Sequence, residues 1–306
     1  GRRPRGPCRG REAGSAVSWP LLGTPLDRRT TEALKAMRRA GLTDWGVRLT
    51  SMQLCEPRFV TVVPDRRAVV RDNPEDQWKT DVLGIVSPTF RVTPNEGYAP
   101  LLDALVAESG ATFAAAGELD GGRRAFVTLR LPGHTLVAGE QVHHLVTSVN
   151  CHDGSSAHSI IYTPVLARSG VVLDVWTLKP ESPHPRRAAE ITDWVFARVD
   201  AFQLVTAPAL TQRPCSKAQF EHVAWALLGH GERAAANTQS RATRKATEAV
   251  ALFGDGTTHW DAYVALATWW DTMSPTRGKD RERARAMNAV FAPKFKRKAR
   301  ALLADS

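Results

Sequence analysis

The sequence predicts an α+β fold: an antiparallel, β-hairpin-rich sheet with a β-β-β-α start, followed by an α-helical C-terminal part. Three observations predict this class. Between residues 58 and 165 many apolar residues alternate with polar ones, which is the period of strands. Glycine-containing turn sequences interrupt that alternation, as expected between the strands of hairpins. After the proline-rich residues 179–185 the apolar spacing becomes that of amphipathic helices.

The elements up to residue 110 follow from local spacing and from turn residues. Residues 30–42 place apolar side chains on one helical face and end near Gly41, a residue suited to a helix C-terminus. The next elements are two strands within 58–73 joined through Pro64 and Asp65, a strand over 81–92, and a helix over 96–110 capped by Asn95. Together they form the predicted β-β-β-α start.

Two hairpins and a set of helices complete the predicted order. The first hairpin joins 111–119 to 123–131 through Asp-Gly-Gly, where glycine accepts a positive φ. The second hairpin joins 142–149 to 157–165, with its turn centred on Asp153 and Gly154 so that His158 lies opposite Val149. A further strand covers 170–178, and the predicted helices cover 187–205, 216–229, 257–273 and a basic tail from Lys279 that breaks at Pro293.

Composition divides the chain into three regions: a disordered basic arm over 1–18, an α+β core domain over 19–180, and an α-helical region with a basic C-terminal helix over 181–306. The formal net charge is +10. Residues 1–11 carry five arginines and no acid, and residues 271–306 carry ten basic groups against four acidic ones. The positive charge is therefore concentrated near the two ends, a pattern found in proteins that contact nucleic acid.

Cysteine usage and hydropathy exclude several classes of protein. The four cysteines are widely spaced and include no C-x-x-C pair, which predicts neither a disulfide framework nor a zinc ribbon. A reducing, cytoplasmic location is the simplest expectation. No apolar run approaches the roughly 18 residues that a membrane helix needs, so no contact with a membrane is expected.

Residues 150–165, NCHDGSSAHSIIYTPV, concentrate polar side chains in one turn and raise the question of a metal site. Five of the nine histidines fall between His134 and His158. However, the predicted hairpin separates His143 from His158 by roughly 20 Å along the strands. Ordinary strand and turn histidines are therefore favoured over metal ligands, and no cofactor is indicated.

The same turn permits a hydrolytic site in which Ser155 or Ser156 acts with His152 and Asp153. Neighbouring side chains diverge, however, whereas a catalytic triad needs its groups to converge. A purely structural turn is also open, because Asn150 and Asp153 can bond nearby backbone N–H groups.

A third interpretation makes this turn a contact for nucleic-acid phosphates, which small polar side chains and arginines bind. The basic tail helix is either a further nucleic-acid contact or a solvated outer face. The candidate binding residues are Arg66, Arg67, Arg123, Arg124, Arg130, Asn150, His152, Ser155, Ser156, Lys294, Lys296, Arg297, Lys298 and Arg300.

Five segments, taken in order, carry a family resemblance. They are WPLLGTPLD (19–27), VPDRRAVVR (63–71), VLGIVSPTFRVTPNEGY (82–98), AGELDGGRRAFVTLRLPG (116–133) and the stretch over 150–165. In order and spacing they resemble the phage/plasmid-like protein family that carries the domain of unknown function 932. The chain departs from the family pattern at Pro20, Leu21 and Thr272. The resemblance implies residence in phages, prophages or plasmids of bacteria, many of them actinobacteria, and implies no particular activity.

We therefore expect a non-enzymatic DNA-binding protein of a mobile element, with single-stranded DNA as the favoured partner and self-association possible. The β-β-β-α start is similar to the core of phage annealing proteins, which suggests single-strand annealing or an accessory role in recombination. That step is an analogy of topology. A metal-dependent or hydrolytic enzyme using His152 and Asp153, and a host-interaction protein without a nucleic-acid role, are the alternatives.

Overall fold

The computed structural model describes residues 22–27, 29–76, 78–229, 236–276, 281–291 and 293–306. The predicted basic arm over 1–18 lies outside these residues. Within them the mixed class is confirmed, because antiparallel sheets form the first part and helices predominate in the C-terminal half. No helix of the described residues combines the length and the apolar character needed to span a membrane.

The strands form two antiparallel sheets. They are β1 (Thr24–Pro25), β2 (Arg48–Glu56), β3 (Phe59–Asp72), β4 (Thr80–Val86), β5 (Thr112–Leu119), β6 (Arg124–Arg130), β7 (Thr135–Val137), β8 (Glu140–Cys151), β9 (Ser159–Leu166) and β10 (Trp176–Leu178). The small sheet has the order β2-β3-β4. Six strands of the large, seven-stranded sheet have the order β1-β5-β6-β8-β9-β10. The seventh strand, β7, pairs with β8 outside this order.

The helices cover both faces of the large sheet and extend beyond it. They are α1 (Ala33–Arg39), α2 (Ala99–Ser109), α3 (Ala188–Ala201), α4 (Ala207–Thr211), α5 (Lys217–Leu228), α6 (Ala236–Phe253), α7 (His259–Met273), α8 (Arg281–Phe291) and α9 (Lys294–Ala304). A π-helical segment, Phe202–Thr206, joins α3 to α4.

The β-β-β-α start is present, but its strands differ from those predicted. The division of residues 58–73 was wrong, because β3 is one continuous strand and its partner β2 was missed. Ser51 pairs with Arg67 while Met52 pairs with Val63, so residues 64–66 bulge out of the ladder. A bulge accommodates Pro64, which has no N–H to donate to a neighbouring strand.

The predicted helix cap at Asn95 was also wrong. Residues Asn95–Tyr98 form a 3₁₀ turn, and α2 begins at Ala99 without a capping side chain. The Asn95 side chain is buried and donates instead to the backbone oxygen of Leu42, at 3.0 Å. The C-terminus of the helix is as expected, since Gly110 adopts a left-handed φ of 69°.

Both predicted hairpins of the large sheet are confirmed, with a register correction in the second. Asp120, Gly121 and Gly122 turn the first hairpin, all with positive φ. In the second, Val149 pairs with Ser159 rather than with His158. The connection is the longer loop 152–158, and a shift of one residue exchanges the side chains that face each side of the sheet.

The C-terminal helices follow the predicted pattern, except that helix α6 was missed. The strand predicted over 170–178 is shorter than expected, since only β10 (Trp176–Leu178) forms there. Ser216 and Thr258 each make a capping box at the start of α5 and α7, the arrangement that marks a helix N-terminus. The basic tail divides at Pro293 as expected.

The helices and the large sheet share their hydrophobic cores. On one face, Ile191 and Val195 of α3 pack in a cluster with Val146 and Tyr162 of the sheet. On the other face, Ala289 and other residues of α8 pack against the sheet residues that alternate along the strands with those of the first face. Beyond the edge, the bundle of α4 to α7 and α9 encloses side chains from β7, β8 and β9. The sheet and the helical part thus contribute to common cores.

Candidate functional site

The turn 120–123 and the loop 152–158 meet at one end of the large sheet, which we call the loop end. Arg124 pairs with Cys151 across β6 and β8. The backbone N–H of His152 continues this ladder by donating to the carbonyl oxygen of Arg123, at 2.8 Å. The predicted polar turn therefore lies directly beside the first hairpin.

The small sheet docks against the loop end through two glycines. A Cβ atom on Gly84 would lie 2.5 Å from Cα of Asp153, and one on Gly154 would lie 2.7 Å from Cγ1 of Val86. Gly154 also has a φ of 73°, a conformation that glycine adopts without strain. Because Val86 pairs with Arg67, this docking brings the arginines of β3 toward the loop 152–158.

We expect that Gly84→Ala lowers the free energy of unfolding by about 1 to 3 kcal/mol, because the new methyl group overlaps the backbone of the loop. Urea unfolding measures this change. The neighbouring Ile85→Ala is the control, since the Ile85 side chain is 56% exposed, and it should cost much less. Equal stability of Gly84→Ala and wild type would show that the small sheet does not pack on the loop as described.

A network of hydrogen-bonded, buried polar side chains supports the loop end. Oδ1 of Asn95 accepts from Nδ2 of Asn150 at 3.0 Å and lies 2.9 Å from Nε2 of His152. Nδ2 of Asn150 also donates to the backbone oxygen of Thr93, at 3.1 Å. The Oδ1 contact assigns a proton to Nε2 of His152, because an amide oxygen can only accept. These bonds fix the start of the loop 152–158 to the 3₁₀ turn before α2.

The two loop-end histidines are held neutral. Burial, together with the nearby Arg71 guanidinium, lowers the pKa of His152 to about 4. Burial alone lowers the pKa of His158 to about 4. Nε2 of His158 lies 2.8 Å from Oγ of Ser148, and its ring lies against Tyr98 with 4.3 Å between the centroids. The imidazoles therefore add no positive charge to the loop end near neutral pH.

A cavity of about 270 Å³ opens beside this network. We call it the loop-end cavity. Its lining residues are Phe90, Arg91, Thr93, Tyr98, Asn150, Cys151, His152, Ser156, Ala157, His158, Pro180, Glu181, Ser182 and Pro183. Burial raises the pKa of the Cys151 thiol to about 11, so the cysteine is protonated and a poor nucleophile. The cavity thus combines aromatic rings and uncharged polar groups with one cation, Arg91, and one carboxylate, Glu181.

Arg91 lines this cavity, the backbone of Arg123 bonds to the lining residue His152, and Lys179 directly precedes the lining residue Pro180. Arg66, Arg91, Arg123 and Lys179 are exposed, and Lys179 lies near enough to Cys151 to affect its thiol electrostatically. Among the residues that the structure describes, no carboxylate forms an ion pair with any of these four cations or with Arg67. The charges of the four exposed cations are therefore available to a bound anion, whereas Nη1 of the half-buried Arg67 donates to the backbone oxygens of Pro64 and Arg66.

Two predicted contacts at the loop end need correction. Asn150 and His152 are only 8% and 2% exposed, and their polar groups bond within the protein. They support the site and are not free to bind phosphate from solution. Ser155 is exposed and Ser156 partly exposed, as predicted, although Oγ of Ser155 donates to Asp153 at 2.6 Å. Arg124 is partly buried and lies 3.8 Å from Asp120.

Arg130 and helix α9 of the basic tail lie away from the loop end. Arg130 pairs with Leu145 six residues along β6 from Arg124, which is roughly 20 Å at the usual rise of a strand. Helix α9 contacts the sheet near β10, where Arg297 donates to the backbone oxygen of Val175 and Arg300 pairs with Asp174. The structure therefore does not combine all the predicted basic residues into one surface.

Lys296 is the clearest correction on the tail. Its side chain is only 1% exposed, and Nζ lies 2.7 Å from Oδ1 of Asp271. It also donates to the backbone oxygen of Val172. A lysine in this position cannot reach a phosphate, whereas Lys294 and Lys298 on the same helix are exposed.

The alternative chemistries receive no geometric support here. Within the described ranges, no three His, Cys, Asp or Glu side chains are grouped so that they could hold a metal ion. The His152 ring bonds Asn95 rather than a serine hydroxyl. Asp153 uses Oδ1 to accept from the backbone N–H and the hydroxyl of Ser155. This is a turn-stabilising arrangement, not a relay from an acid through a histidine to a nucleophile.

Sequence reasoning missed Arg91, Tyr98 and Lys179 as neighbours of the polar turn. Arg91 and Tyr98 do belong to the segment FRVTPNEGY that was singled out for its resemblance, and that segment was the available signal. Lys179 follows the last short strand and carries no local pattern that would place it near Cys151.

Comparison with known proteins adds one finding. No curated protein and no solved structure matches the chain significantly. The model of the domain of unknown function DUF932 matches residues 82–167, which run from β4 through β9 and include most of the loop end. Residues 82–167 of this chain are therefore similar to the domain of unknown function DUF932.

Proposed function

We propose that this chain is a non-enzymatic nucleic-acid-binding protein that holds the phosphates of single-stranded DNA at the loop end. The observation that carries the proposal is the group of exposed cations without carboxylate partners around the loop-end cavity. Arginine and lysine side chains on neighbouring loops are suited to phosphate oxygens. The exposed Ser155 and the partly exposed Ser156 supply hydroxyl groups beside them.

Single strands are favoured over duplex because the cations adjoin aromatic side chains. Proteins that bind single strands combine a basic groove with aromatic rings on which unpaired bases stack. Phe90 is partly exposed and lines the cavity next to Arg91. A duplex keeps its bases stacked inside and offers this surface only its backbone.

The resemblance to phage and plasmid proteins supports a role on mobile elements. We propose that the binding serves single-strand annealing or an accessory step of recombination there, by analogy with the β-β-β-α start of annealing proteins. Fold similarity is weaker support than the site itself. Self-association of the chain stays a prediction.

We expect that Arg91→Ala combined with Arg123→Ala weakens binding of a single-stranded oligonucleotide by about tenfold or more. Each lost phosphate contact should also reduce the slope of log K against log[salt] by about 0.7. Fluorescence anisotropy across a salt series measures both quantities, and thermal unfolding should stay near wild type because both side chains are exposed.

The matched control is Lys294→Ala combined with Lys298→Ala, which removes two exposed charges from α9. It should change affinity less than the loop-end variant, which removes the same charge. A loss confined to the α9 variant would move the binding surface to the tail. No binding by wild type at low salt would contradict the proposed function altogether.

A further inference from the structure

The loop-end cavity has the size and walls of a site for one planar ring. Its volume of about 270 Å³ is just below the range for ligand sites, roughly 300 to 1,000 Å³, as suits a ligand of one ring. Phe90, Tyr98 and His158 provide aromatic walls. Rings of this kind bind flat heteroaromatic groups by stacking.

The polar groups of the cavity suit a neutral ligand with hydrogen-bonding edges. Thr93, Asn150 and Ser156 carry no charge, and the low pKa values keep His152 and His158 neutral at pH 7. An anion bound inside would meet the Glu181 carboxylate as well as the Arg91 guanidinium, so the lining gives it little net compensation for its desolvation. Arg91 in the lining and Lys179 next to the lining residue Pro180 can instead contact the phosphates on either side of an inserted neutral group.

His158 adds an independent observation. Its side chain is 8% exposed, and within the described part of the chain Nδ1 has no hydrogen-bond partner. A buried polar atom without a partner is unfavourable by about 1 to 3 kcal/mol. Because the Ser148 hydroxyl can either donate to Nε2 or accept from it, Nδ1 can act as a donor or as an acceptor. Nδ1 has almost no accessible surface, so a ligand bonds it only after the ring shifts toward the cavity.

We propose that the loop-end cavity takes one unstacked nucleobase of the bound strand, which lies against the aromatic side chains of the lining on the side of His158. This inference rests on the proposed function and specifies the part of the nucleic acid that the site recognises. The adaptable hydrogen bonding of His158 makes the site tolerant of base identity. The flanking phosphates then contact Arg91 and Lys179.

Two probes test the proposal on the full chain. One is an oligothymidylate of about 12 nucleotides, and the other is an abasic strand of the same length with the same number of phosphates. The thymidylate should bind about tenfold or more tightly, because stacking of even one base contributes that much. The slope of log K against log[salt] should be the same for the two strands, since the phosphate contacts are unchanged.

A variant that fills the cavity gives the second measurement. Ala157 is exposed and lines the cavity, so Ala157→Phe can block the cavity without removing a core side chain. It should weaken thymidylate binding by about tenfold and leave abasic binding unchanged. Ala301→Phe on α9 is the matched control, because Ala301 is exposed away from the loop end; it should bind both strands as wild type does.

The outcomes separate the two proposals. Equal affinity for the two strands, with a steep salt slope, would overturn the base site and leave phosphate binding in place. Binding of neither strand would overturn both proposals. Loss of both strands in a folded Ala157→Phe variant would show that the cavity region contacts backbone rather than a base, and would also overturn this inference.

Discussion

Replacing Lys296 with methionine should lower the free energy of unfolding by about 3 to 5 kcal/mol. Lys296 and Asp271 form a buried ion pair, with side-chain exposures of 1% and 6%. Methionine keeps much of the aliphatic length but leaves the Asp271 carboxylate buried without its cation, which is the costly way to break such a pair. The backbone oxygen of Val172 also loses the donor that Nζ provides. Urea unfolding at neutral pH measures the change.

A second variant separates lost charge compensation from lost packing. Adding Asp271→Leu to Lys296→Met removes both charges, so stability should recover much of the loss. Lys298→Ala is the control on the same helix, and its exposed side chain should contribute within about 0.5 kcal/mol. If Lys296→Met alone is as stable as wild type, then α9 does not bury its lysine against α7.

The charge pattern of the tail predicted a solvated or nucleic-acid-binding surface for Lys296, and the reason for the error can be stated. Lys296, Ala299 and Leu303 are the buried residues of α9. Their spacing of three and four residues defines one helical face, so the spacing itself contained the signal. The basic composition outweighed it, because lysine is seldom buried unless it is paired, and its partner Asp271 lies on another helix.

The hairpins and the starts of α5 and α7 were accessible from the sequence because their determinants are local. Gly121 and Gly122 lie in the four-residue turn that they favour, and Ser216 and Thr258 form capping boxes at the helix N-termini. The missed strand β2 has no such marker. Most of its residues are exposed, so no one-sided burial imposes the alternation by which strands are recognised.

The loop-end site could be predicted only in part. The polar segment 150–165 and the hairpin arginines were identifiable from residue type. The hydrogen bonds that support the site were not identifiable from the sequence, because Asn95 is separated from Asn150 and His152 by 55 and 57 residues. Such contacts depend on how the 3₁₀ turn before α2 meets β8. Polar side chains that looked available for a ligand are therefore used to hold the site in shape.

Lowering the pH from 7 to 5 should destabilise the fold by several kcal/mol, because buried histidines, among them His144, His152 and His158, are held in their neutral form. Burial, reinforced for His144 and His152 by nearby cationic groups, lowers the pKa of His144, His152 and His158 to about 4 each. In the unfolded chain the pKa of histidine is about 6.5. The unfolded state therefore binds protons first as the pH falls. The associated stability is fully present above pH 6.5 and is lost between about pH 6.5 and pH 4.

At pH 5 each histidine should account for a loss of roughly 2 kcal/mol relative to pH 7. Urea unfolding at the two pH values tests this in wild type and in His158→Gln. The variant also loses the Ser148 contact and is weaker at both pH values, but its difference between pH 7 and pH 5 should shrink by roughly 2 kcal/mol. Asp271 acts in the opposite direction, since burial raises the pKa of its carboxyl, but it is common to both proteins and cancels in the comparison. An unchanged difference in His158→Gln would mean that His158 is not held neutral beside the cavity, which would also remove the argument that the cavity favours an uncharged ring.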